Sequence, residues 1–584
     1  MIRRPWRRPP AAGSDPDDRA AAADDPEAVR TVAQDRLAEA LRQWRAAFGA
    51  AHVHDAAAAL DRYARTTLPH GNRALAVVRP GGLDDVVAAV RIANACGVPL
   101  YPISRGRNWG YGDACPPTPG QVILDLGRMD RILEVNEELA YAVIEPGVSQ
   151  GRLAGHLRDI GAALWLDCTG AGPDASVVGN ILERGFGHTP YGNRVQFVSG
   201  LEVVLGDGRV LRTGFGHYDC ATAERVYPYG PGPILDGLFT QSNMGIVTKV
   251  GVWLLPAPEA FTQFICLVHD GEDLGPVVDA VRRLRLQGAV HSVVHIGNDM
   301  RLISSSRTYP LDRAGGAVPL PAALREALRR ELGVGAWLVS GGLYGSRGQV
   351  AAARGLVKAA LKGPRRKLIF LSPERLDRAA RLARLARPAR LAGALTARLG
   401  RARDLVSLHC GVPTGQFLSG AYWRRRGGLP DGFPAEADPA QDGCGLLWLA
   451  PVLPQTGESV RDLLGIVEPI YAAHRFDLLM TLATINERAL DAVLTIAFDR
   501  DDPAETDRAD ACYRTLFEAV CAAGYVPYRV GAQSMADITA RGSPVHRDVV
   551  AAIKRTLDPG GVVAPGRYDP AAFRSDHPAS GAAP

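Results

Sequence analysis

Hydrophobic and polar positions in the first half of the chain follow two alternating periods. In residues 83–97, LDDVVAAVRIANACG, apolar residues recur three and four positions apart, and this spacing predicts an amphipathic helix. Short β-branched runs closed by Gly, Pro or Asp predict strands around and after it: ALAVVRP, VPLYPIS, VILDL, YAVIEP, LEVVLG and IVTKVGVWLL. The mixture predicts an α+β domain.

The pattern changes at Pro256 and Pro258, after which a new strand, FTQFICLVHD, and a new helix, DLGPVVDAVRRLRLQG, follow. A chain of 584 residues also exceeds what one hydrophobic core usually supports, so a second domain is expected. Upstream, the first helical pattern begins at about residue 35. Residues 1–34 are rich in charge and proline and have no apolar stretch for a secretory signal, so we expect a disordered extension there.

Composition and charge exclude few classes of protein. With 47% hydrophobic and 22% charged residues and a net charge of +5, the chain has an ordinary globular composition and no basic block for nucleic acid or a membrane surface. No run approaches the roughly 20 apolar residues of a membrane span. The nine cysteines are an odd number without a C-x-x-C pair, which favours reduced thiols in a cytoplasmic protein over a disulfide framework or a zinc site.

Three glycine-rich stretches, at residues 104–113, 179–192 and 242–251, are the main candidates for chemistry. The first, SRGRNWGYGD, follows a predicted strand. Its glycines let backbone N–H groups approach an anion closely, and Arg105 and Arg107 add positive charge. A pyrophosphate is the natural ligand of such a loop, although the spacing is not the G-x-G-x-x-G of a Rossmann turn.

A different enzyme class is suggested by Gly147, Ser149 and Gly151. They fit the G-x-S-x-G motif of a hydrolase nucleophile elbow and stand between a predicted strand and a predicted helix. Such a hydrolase also needs an acid and then a histidine on an eight-strand parallel pattern. The chain shows no such pattern, so the hydrolase hypothesis is the weaker one.

The chain resembles the vanillyl-alcohol oxidase and para-cresol methylhydroxylase family of FAD enzymes in six segments taken in order: PISRGRNWGYGDACPP, QVILDLGRMDRI, YAVIEPGVSQGRL, GNILERGFGHTPYGN, FVSGLEVVLGDGRVLRTGFG and DGLFTQSNMGIVTKVGVWL. The similarity returns at DRADACYRTLF, GYVPYRV and LDPGGVVAPGR near the C-terminus. It implies a two-domain α+β fold. Residues 35–258 and 524–584 would form the FAD-binding domain, and residues 259–523 an inserted α/β substrate domain, or cap.

The resemblance also implies which residues hold FAD. The first two glycine-rich stretches would wrap the pyrophosphate and the flavin, and the third would lie under the cofactor. Arg567 would stabilise negative charge that develops near the flavin N1. The implied cofactor residues are Ser104, Arg105, Gly106, Arg107, Asn108, Gly110, Gly112, Pro146, Gly147, Gly179, Asn180, Glu183, Arg184, Gly185, Gly187, Tyr191, Gly192, Gly245, Ile246, Val247 and Arg567.

The substrate implied by the resemblance is a para-substituted phenol, whose phenolate would be held by Tyr111, Tyr528 and Arg529. Hydride would leave the benzylic carbon for the flavin, and a quinone methide would result. The aspartate of the family's oxidase branch falls at Asp167 or Asp174, because this loop is one residue longer here. We prefer Asp174 as the fourth catalytic residue, since Asp167 more readily ends a strand.

The chain departs from the family pattern in two places. GCGLLWLAPV offers no histidine for a covalent bond to the flavin, and Tyr422 is offset by one residue from the tyrosine of the methylhydroxylases. Non-covalent FAD is therefore expected, with a link through Tyr422 as the alternative. TINERALDAVLTIAFDR has Leu490, Asp491 and Ala492 where the best-known members have paired histidines, so their substrate pocket is not reproduced.

Three functions are compatible with these observations. The first is an FAD-dependent oxidase or dehydrogenase of 4-alkylphenols or aryl alcohols. The second keeps the flavin but acts on a larger aromatic intermediate of specialised metabolism, and the third is a flavin fold retained only as a scaffold. The expected partners are a small aromatic substrate and a second copy of the chain in a homodimer, with a cytochrome as an alternative to oxygen as electron acceptor.

Overall fold

The computed structural model describes residues 26–383, 399–400 and 402–569, with side chains from residue 33 onward. The first helix, α1, spans Pro26–Phe48 and so begins earlier than the predicted residue 35. Proline is well tolerated in the first turn of a helix, and the Glu, Ala and Arg residues that follow it favour helix. The predicted extension therefore ends too late, and its first part, residues 1–25, lies outside the described residues.

The other helices are α2 (Ala57–Ala64), α3 (Leu83–Cys96), α4 (Gln150–Asp159), α5 (Val177–Leu182), α6 (Leu274–Leu286), α7 (Asp299–Ser304), α8 (Ala322–Leu332), α9 (Arg347–Leu361), α10 (Pro373–Ala383), α11 (Gly457–Ala473), α12 (Pro503–Ala522), α13 (Met535–Arg541) and α14 (Pro544–Leu557). Residues 402–409 are also helical. The strands are β1 (Val53–His54), β2 (Val77–Val78), β3 (Leu100–Ile103), β4 (Val122–Asp125), β5 (Ile132–Asn136), β6 (Tyr141–Ile144), β7 (Leu164–Trp165), β8 (Val198–Val204), β9 (Val210–Arg212), β10 (Ile246–Trp253), β11 (Leu255–Pro256), β12 (Ala260–Val268), β13 (His295–Asn298), β14 (Trp337–Gly345), β15 (Arg366–Leu371), β16 (Gly445–Leu449), β17 (Val452–Pro454), β18 (Leu479–Thr484) and β19 (Ala489–Phe498).

Two sheets build the first part of the molecule. One has the order β1-β2-β4-β3, with β2, β4 and β3 parallel, and α1 and α3 pack together beside it. The second is antiparallel, with the order β5-β6-β10-β8-β9, and a core shared with α4 and α5. The loop after β3 starts from a buried strand, and α5 packs in the core of the second sheet. Both are therefore held in fixed positions.

The third sheet has the order β15-β12-β14-β13-β18-β19-β16, and β17 pairs with β19. Residues directly opposite each other on antiparallel strands point to the same face. One row faces the helices α6, α9, α11 and α12 and belongs to the largest hydrophobic core: Cys266, Val339, Ile296, Leu482 and Ala492. The adjacent row points away from these helices and contains three polar residues among five: Ile265, Ser340, His295, Ala483 and Asp491.

The last part of the chain first runs along the third sheet. The Tyr528 N–H donates to the carbonyl of Ala450, and Val530 and Met535 belong to the core of that sheet. The segment from Tyr528 to Met535 therefore packs with the third sheet, and the predicted boundary at residue 523 stays a prediction. The chain joins the first sheet only at Val563, which forms a parallel bridge with Leu100.

Candidate active site

An open cleft of ≈ 1210 Å³ lies between the two parts of the molecule. Its walls come from the loop after β3, from α5, from the start of β10, and from single side chains of β16 and the C-terminal segment. The predicted residues that line it are Ser104, Arg105, Gly106, Arg107, Asn108, Tyr111, Pro146, Gly179, Asn180, Glu183, Gly245, Ile246, Val247, Arg529 and Arg567. Residues far apart in sequence therefore meet in one cleft.

The loop of residues 104–113 turns sharply three times. Gly106, Gly110 and Gly112 have φ values of +66°, +76° and +132°, which L side chains rarely adopt. At Gly110 a Cβ would also lie 3.0 Å from the indole of Trp448, so this loop passes close to β16. Glycine at these positions lets the backbone form one wall of the cleft.

The charges of this loop suit an anion. The Arg107 guanidinium lies 3.3 Å from a carboxylate oxygen of Asp174, and that of Arg105 lies 3.9 Å from the other. The Nε of Arg105 is buried without a hydrogen-bond partner, although the residue lines the cleft. A buried donor of this kind calls for an acceptor. Two arginines and a flexible backbone beside the apolar Ile246 and Val247 fit the pyrophosphate and the isoalloxazine of FAD.

The helix α5 supports this wall from behind. The Ser176 hydroxyl accepts a hydrogen bond from the Gly179 N–H and donates to the carbonyl of Pro146, so the helix start is tied to the turn after β6. A Cβ on Gly179 would lie 2.5 Å from the Ser104 hydroxyl. Glycine is therefore needed for the loop and the helix to approach each other.

Several predicted cofactor residues do not line the cleft. Added Cβ atoms on four of the glycines would meet other parts of the protein at less than 3.0 Å: Gly147 the carbonyl of Gly127, Gly185 the side chain of Asn180, Gly187 that of Asp167, and Gly192 that of Val293. Arg184 is exposed and donates to Thr240, and Tyr191 stacks on Phe197. In the structure, these glycines allow segments of the protein to pack closely behind the wall of the cleft.

The predicted phenolate clamp assembles at one end of the cleft. The Arg529 guanidinium lies 4.2 Å from the ring centre of Tyr111, and Tyr111 packs edge-on against Trp448 at 5.5 Å. Tyr528 packs on Phe186 at 5.2 Å. Burial raises the pKa of both tyrosines above the ordinary value, so both hydroxyls stay protonated and can donate hydrogen bonds.

Glu183 joins the clamp to the predicted flavin-side arginine. Its carboxylate lies 3.3 Å from the Arg529 Nε and is also paired with Arg567. Burial alone would raise the pKa of Glu183, but Arg567 and Arg529 together hold it below the ordinary value. The guanidinium of Arg529 has a second partner, because it also donates a hydrogen bond to the amide oxygen of Asn108. Both arginines are thus buried as ionised groups in fixed positions.

Neither predicted aspartate belongs to the clamp. Asp174 is half exposed and pairs with the loop arginines. Asp167 is buried and already engaged, because it forms an ion pair with Arg194 at 3.1 Å and one of its oxygens accepts hydrogen bonds from the N–H groups of His188 and Thr189. The preference for Asp174 as a catalytic residue therefore finds no support in its contacts.

Asp491 is the carboxyl group that the sequence reasoning missed. It is 2% exposed, and one of its oxygens has no hydrogen-bond partner. Burial raises its pKa to about 8, against a smaller opposing effect of Arg529. It also acts on the pKa of Tyr528 and Tyr111, so it stands beside the clamp. A lone acid within the apolar strand sequence LDAVLTIAF was the available signal.

Tyr422, the alternative flavin anchor, does not line the cleft. It is buried, its hydroxyl donates to Asp442, and its ring packs edge-on against Phe433. Burial and the Asp442 carboxylate raise its pKa. The hydroxyl is therefore engaged inside the cap.

Ser149, the nucleophile of the rival hypothesis, caps α4. Its hydroxyl accepts a hydrogen bond from the Arg152 N–H at 3.1 Å, and the residue is buried. This is the ordinary work of serine at a helix N-terminus. The motif is explained by helix capping and by the close contact of Gly151 with Pro173.

Other classes of site find no counterpart in the described part of the chain. No group of three or more His, Cys, Asp or Glu side chains there could hold a metal ion. No helix within those residues is both long and apolar enough to cross a membrane. The nine cysteines all have free thiols.

Comparison with known proteins supports the assignment of the cleft to FAD. Residues 74–214 match the family model described as FAD binding domain. The chain is 42% identical to 1'-carboxy-chondrochloren decarboxylase of Chondromyces crocatus over 93% of this chain and 98% of that protein. It is 30% identical to the 4-cresol dehydrogenase [hydroxylating] flavoprotein subunit of Pseudomonas putida, over 92% of this chain and 96% of the relative.

A crystal structure of p-cresol methylhydroxylase with substrate bound superimposes with a TM-score of 0.81 and 29% identity, covering 92% of this chain and 97% of that one. Fold and sequence thus agree over nearly the whole length. The chain belongs to the para-cresol methylhydroxylase and vanillyl-alcohol oxidase family of FAD-dependent oxidoreductases.

Proposed function

We propose that this enzyme oxidises a para-substituted phenol by removing hydride from the benzylic carbon. The observation that carries the proposal is the position of Tyr111 and Arg529 in the wall of the FAD cleft, with Tyr528 beside them. Two protonated hydroxyls and one buried cation form a site for an oxyanion. A phenolate is the oxyanion that a flavin enzyme with this clamp would use.

The clamp lowers the cost of ionising the substrate. A phenol has a pKa near 10 in water, and a buried guanidinium with two hydroxyl donors favours its ionised form. Asp491 helps by staying neutral below about pH 8, because an ionised carboxylate beside the phenolate would repel it. The ring electrons of the phenolate then weaken the benzylic C–H bond.

FAD supplies the hydride acceptor when it is bound, and residues 104–108, Asn180 and the 245–247 segment would hold it. Arg567 would favour negative charge at the flavin N1, as it is buried and ionised beside Glu183. The substrate, having lost hydride from carbon and a proton from oxygen, becomes a quinone methide. Water can add to its benzylic carbon and give an alcohol.

A second outcome is favoured by the relative that is 42% identical and is named a decarboxylase. If the carbon next to the benzylic carbon bears a carboxylate, the bond between that carbon and the carboxylate can break after oxidation. Carbon dioxide leaves, its bonding electrons form a C=C bond, and the quinone methide returns to a phenolate. The same clamp and the same oxidation would serve a larger aromatic substrate.

Anaerobic mixing with a panel of 4-alkylphenols tests the proposal. Bleaching of the flavin absorbance is expected with phenols and not with the matching 4-alkylanisoles, which cannot ionise. Release of carbon dioxide from a 3-(4-hydroxyphenyl)propanoate would identify the decarboxylating outcome. If none of these phenols bleaches the flavin, the phenol proposal is wrong and the scaffold hypothesis gains support.

The homodimer, the cytochrome partner and the cytoplasmic location stay predictions. Sedimentation of the purified protein tests the homodimer, and anaerobic reduction of a cytochrome c by the substrate-reduced enzyme tests the cytochrome partner.

A further inference from the structure

Three histidines meet where the cap sheet faces the flavin-binding part: His188, His295 and His409, here called the histidine cluster. The ring of His188 stacks on that of His295 at 4.3 Å, and the His409 ring stands edge-on to His188 at 5.4 Å. His295 comes from β13, His409 from the helical residues 402–409, and His188 from the loop after α5. Three separate elements thus place imidazoles at one point.

The cluster leaves hydrogen-bonding atoms unused. Nδ1 of His295 and Nε2 of His409 are buried without a partner, and both amide atoms of the fully buried Gln263 on β12 are unpartnered as well. His188 donates from Nδ1 to the carbonyl of Cys168 at 2.9 Å, which leaves its Nε2 as an acceptor. Buried polar atoms are normally satisfied, so this concentration of exceptions points to a ligand.

The rings are not completely covered by protein. His188 and His295 keep part of their surface free, and burial lowers the pKa of both. The free surface of these two rings leaves room for a ligand group. Phe186 and Tyr528 are partly covered as well.

The histidine cluster lies near the clamp. Phe186, two residues before His188, packs on Tyr528. On the sheet, His295, Ala483 and Asp491 stand in one row, so His295 is two strand spacings, about 10 Å, from Asp491. The small side chain of Ala483 lies between them. A substituent of a few carbons on a clamped phenol would reach the rings.

A carboxylate is the group that best matches the cluster. Neutral imidazoles can take up a proton and become charged donors, and the neighbouring acid, Asp167, is already paired with Arg194. The other ionisable groups near the cluster are the Tyr344 hydroxyl, which contacts His409 at 3.2 Å, and two thiols. These belong to Cys168, whose carbonyl binds His188, and to Cys410, which follows His409 in the chain. Burial raises the pKa of Tyr344 and both thiols, so all three stay neutral and none competes as an anion.

We propose that the histidine cluster is a subsite that binds a carboxylate on the para substituent of the substrate. The proposal rests on the phenol function and extends it, because it assigns the enzyme to phenols with an acidic side chain. Binding transfers one proton from solvent to the cluster and forms charge-assisted hydrogen bonds from imidazolium to carboxylate.

Two ligand pairs test the subsite in the FAD-loaded enzyme. The first pair is 4-(4-hydroxyphenyl)butanoate and 4-(4-hydroxyphenyl)butan-1-ol, and the second lacks the phenol: 4-phenylbutanoate and 4-phenylbutan-1-ol. Calorimetry in two buffers of different ionisation enthalpy gives affinity and proton uptake. We expect each acid to bind at least about tenfold more tightly than its alcohol and to take up about one more proton near pH 7.5.

The variants His295→Leu and His409→Phe should lose the preference for the acid, while His291→Gln, an exposed histidine four residues before His295, should keep it. Unchanged FAD content and melting temperature identify variants that fold. Equal binding of acid and alcohol by the native enzyme overturns the proposal, as does an equal loss of both in folded variants. A preference within the phenyl pair, without flavin bleaching by phenols, supports the subsite and rejects the phenol function.

Discussion

Arg529 shows how a single charge is kept ready in a buried site. Glu183 and Asn108 hold its guanidinium from one side, and the Tyr111 ring covers it from the other. An unpaired buried cation would be costly, so Glu183 stabilises the guanidinium when no ligand is bound. The charge of the guanidinium is therefore the property of Arg529 that a mutation should test.

Removing that charge should have a large and specific effect. We expect Arg529→Ala to lower kcat/KM for a 4-alkylphenol at least about a hundredfold, since a charge-assisted hydrogen bond in a buried site is worth about 3 kcal/mol. FAD content should not change. Arg184→Ala, at an exposed arginine next to Glu183, is the control and should keep full activity. Equal activity in the two variants would argue against a phenolate.

Asp491 should make stability depend on pH. Its folded pKa of about 8 lies above the ordinary value of 3.8, so the unfolded chain releases this proton first as pH rises. The stability that the neutral carboxyl contributes is complete below about pH 4 and is lost as pH rises through 8. The asparagine in Asp491→Asn stays neutral. The melting temperature of the variant minus that of the native enzyme should therefore increase from pH 5 to pH 8. A constant difference across that range would mean that Asp491 is ionised throughout.

Elements were predictable where one local pattern decides them. The helix at residues 83–97 and the strands on both sides of it followed from periodicity alone, and α3 and β3 lie there. The α+β fold and the FAD-enzyme family are confirmed over nearly the whole chain. The contact between Tyr111 and Arg529 was not readable from periodicity, since it joins residues more than 400 positions apart; only the resemblance placed them together.

What escaped prediction depends on several elements at once. The role of Asp491 requires the register of β18 and β19 and the position of Arg529, and none of these is a local property. Gly185, Gly187 and Gly192 lie close to the side chains of Asn180, Asp167 and Val293, whereas the resemblance assigned them to FAD. A glycine in a sequence reports crowding but does not say which atoms cause it.

The cap of α4 provides a test at the scale of one helix. Ser149→Ala removes the acceptor for the Arg152 N–H and should lower the free energy of unfolding by about 1 kcal/mol without affecting FAD reduction. Ser149→Asn, which retains a capping oxygen, should restore most of that stability. Urea unfolding curves measure both. Loss of catalysis in both variants with unchanged stability would revive the nucleophile.

At the scale of the whole molecule, the chain crosses between its two parts after residue 256 and returns with α14 and Val563, so residues from three distant regions line the cleft. Trp448 on β16 reaches the loop of the first part at Gly110. A cofactor and a substrate bound in the cleft would therefore contact both parts. Binding of FAD should stabilise the assembly as a unit.

The state of the cofactor is the prediction that belongs to this scale. The purified protein should be yellow, and precipitation with acid should release FAD into the supernatant, because no histidine stands in GCGLLWLAPV and the Tyr422 hydroxyl is bonded to Asp442. Tyr422→Phe should behave identically. Flavin that stays with the native precipitate and leaves that of the variant would show a covalent link through Tyr422.

The two alternating rows of the third sheet have a consequence for engineering. On β19 the even-numbered Leu490 and Ala492 build the core, whereas Asp491 between them faces the site. A one-residue insertion in this strand would exchange the two faces and ruin both at once. Substitutions confined to Asp491, Ala483 and His295 should leave the packing against the helices unchanged. These three positions are therefore suited to mutagenesis that aims to change the substrate.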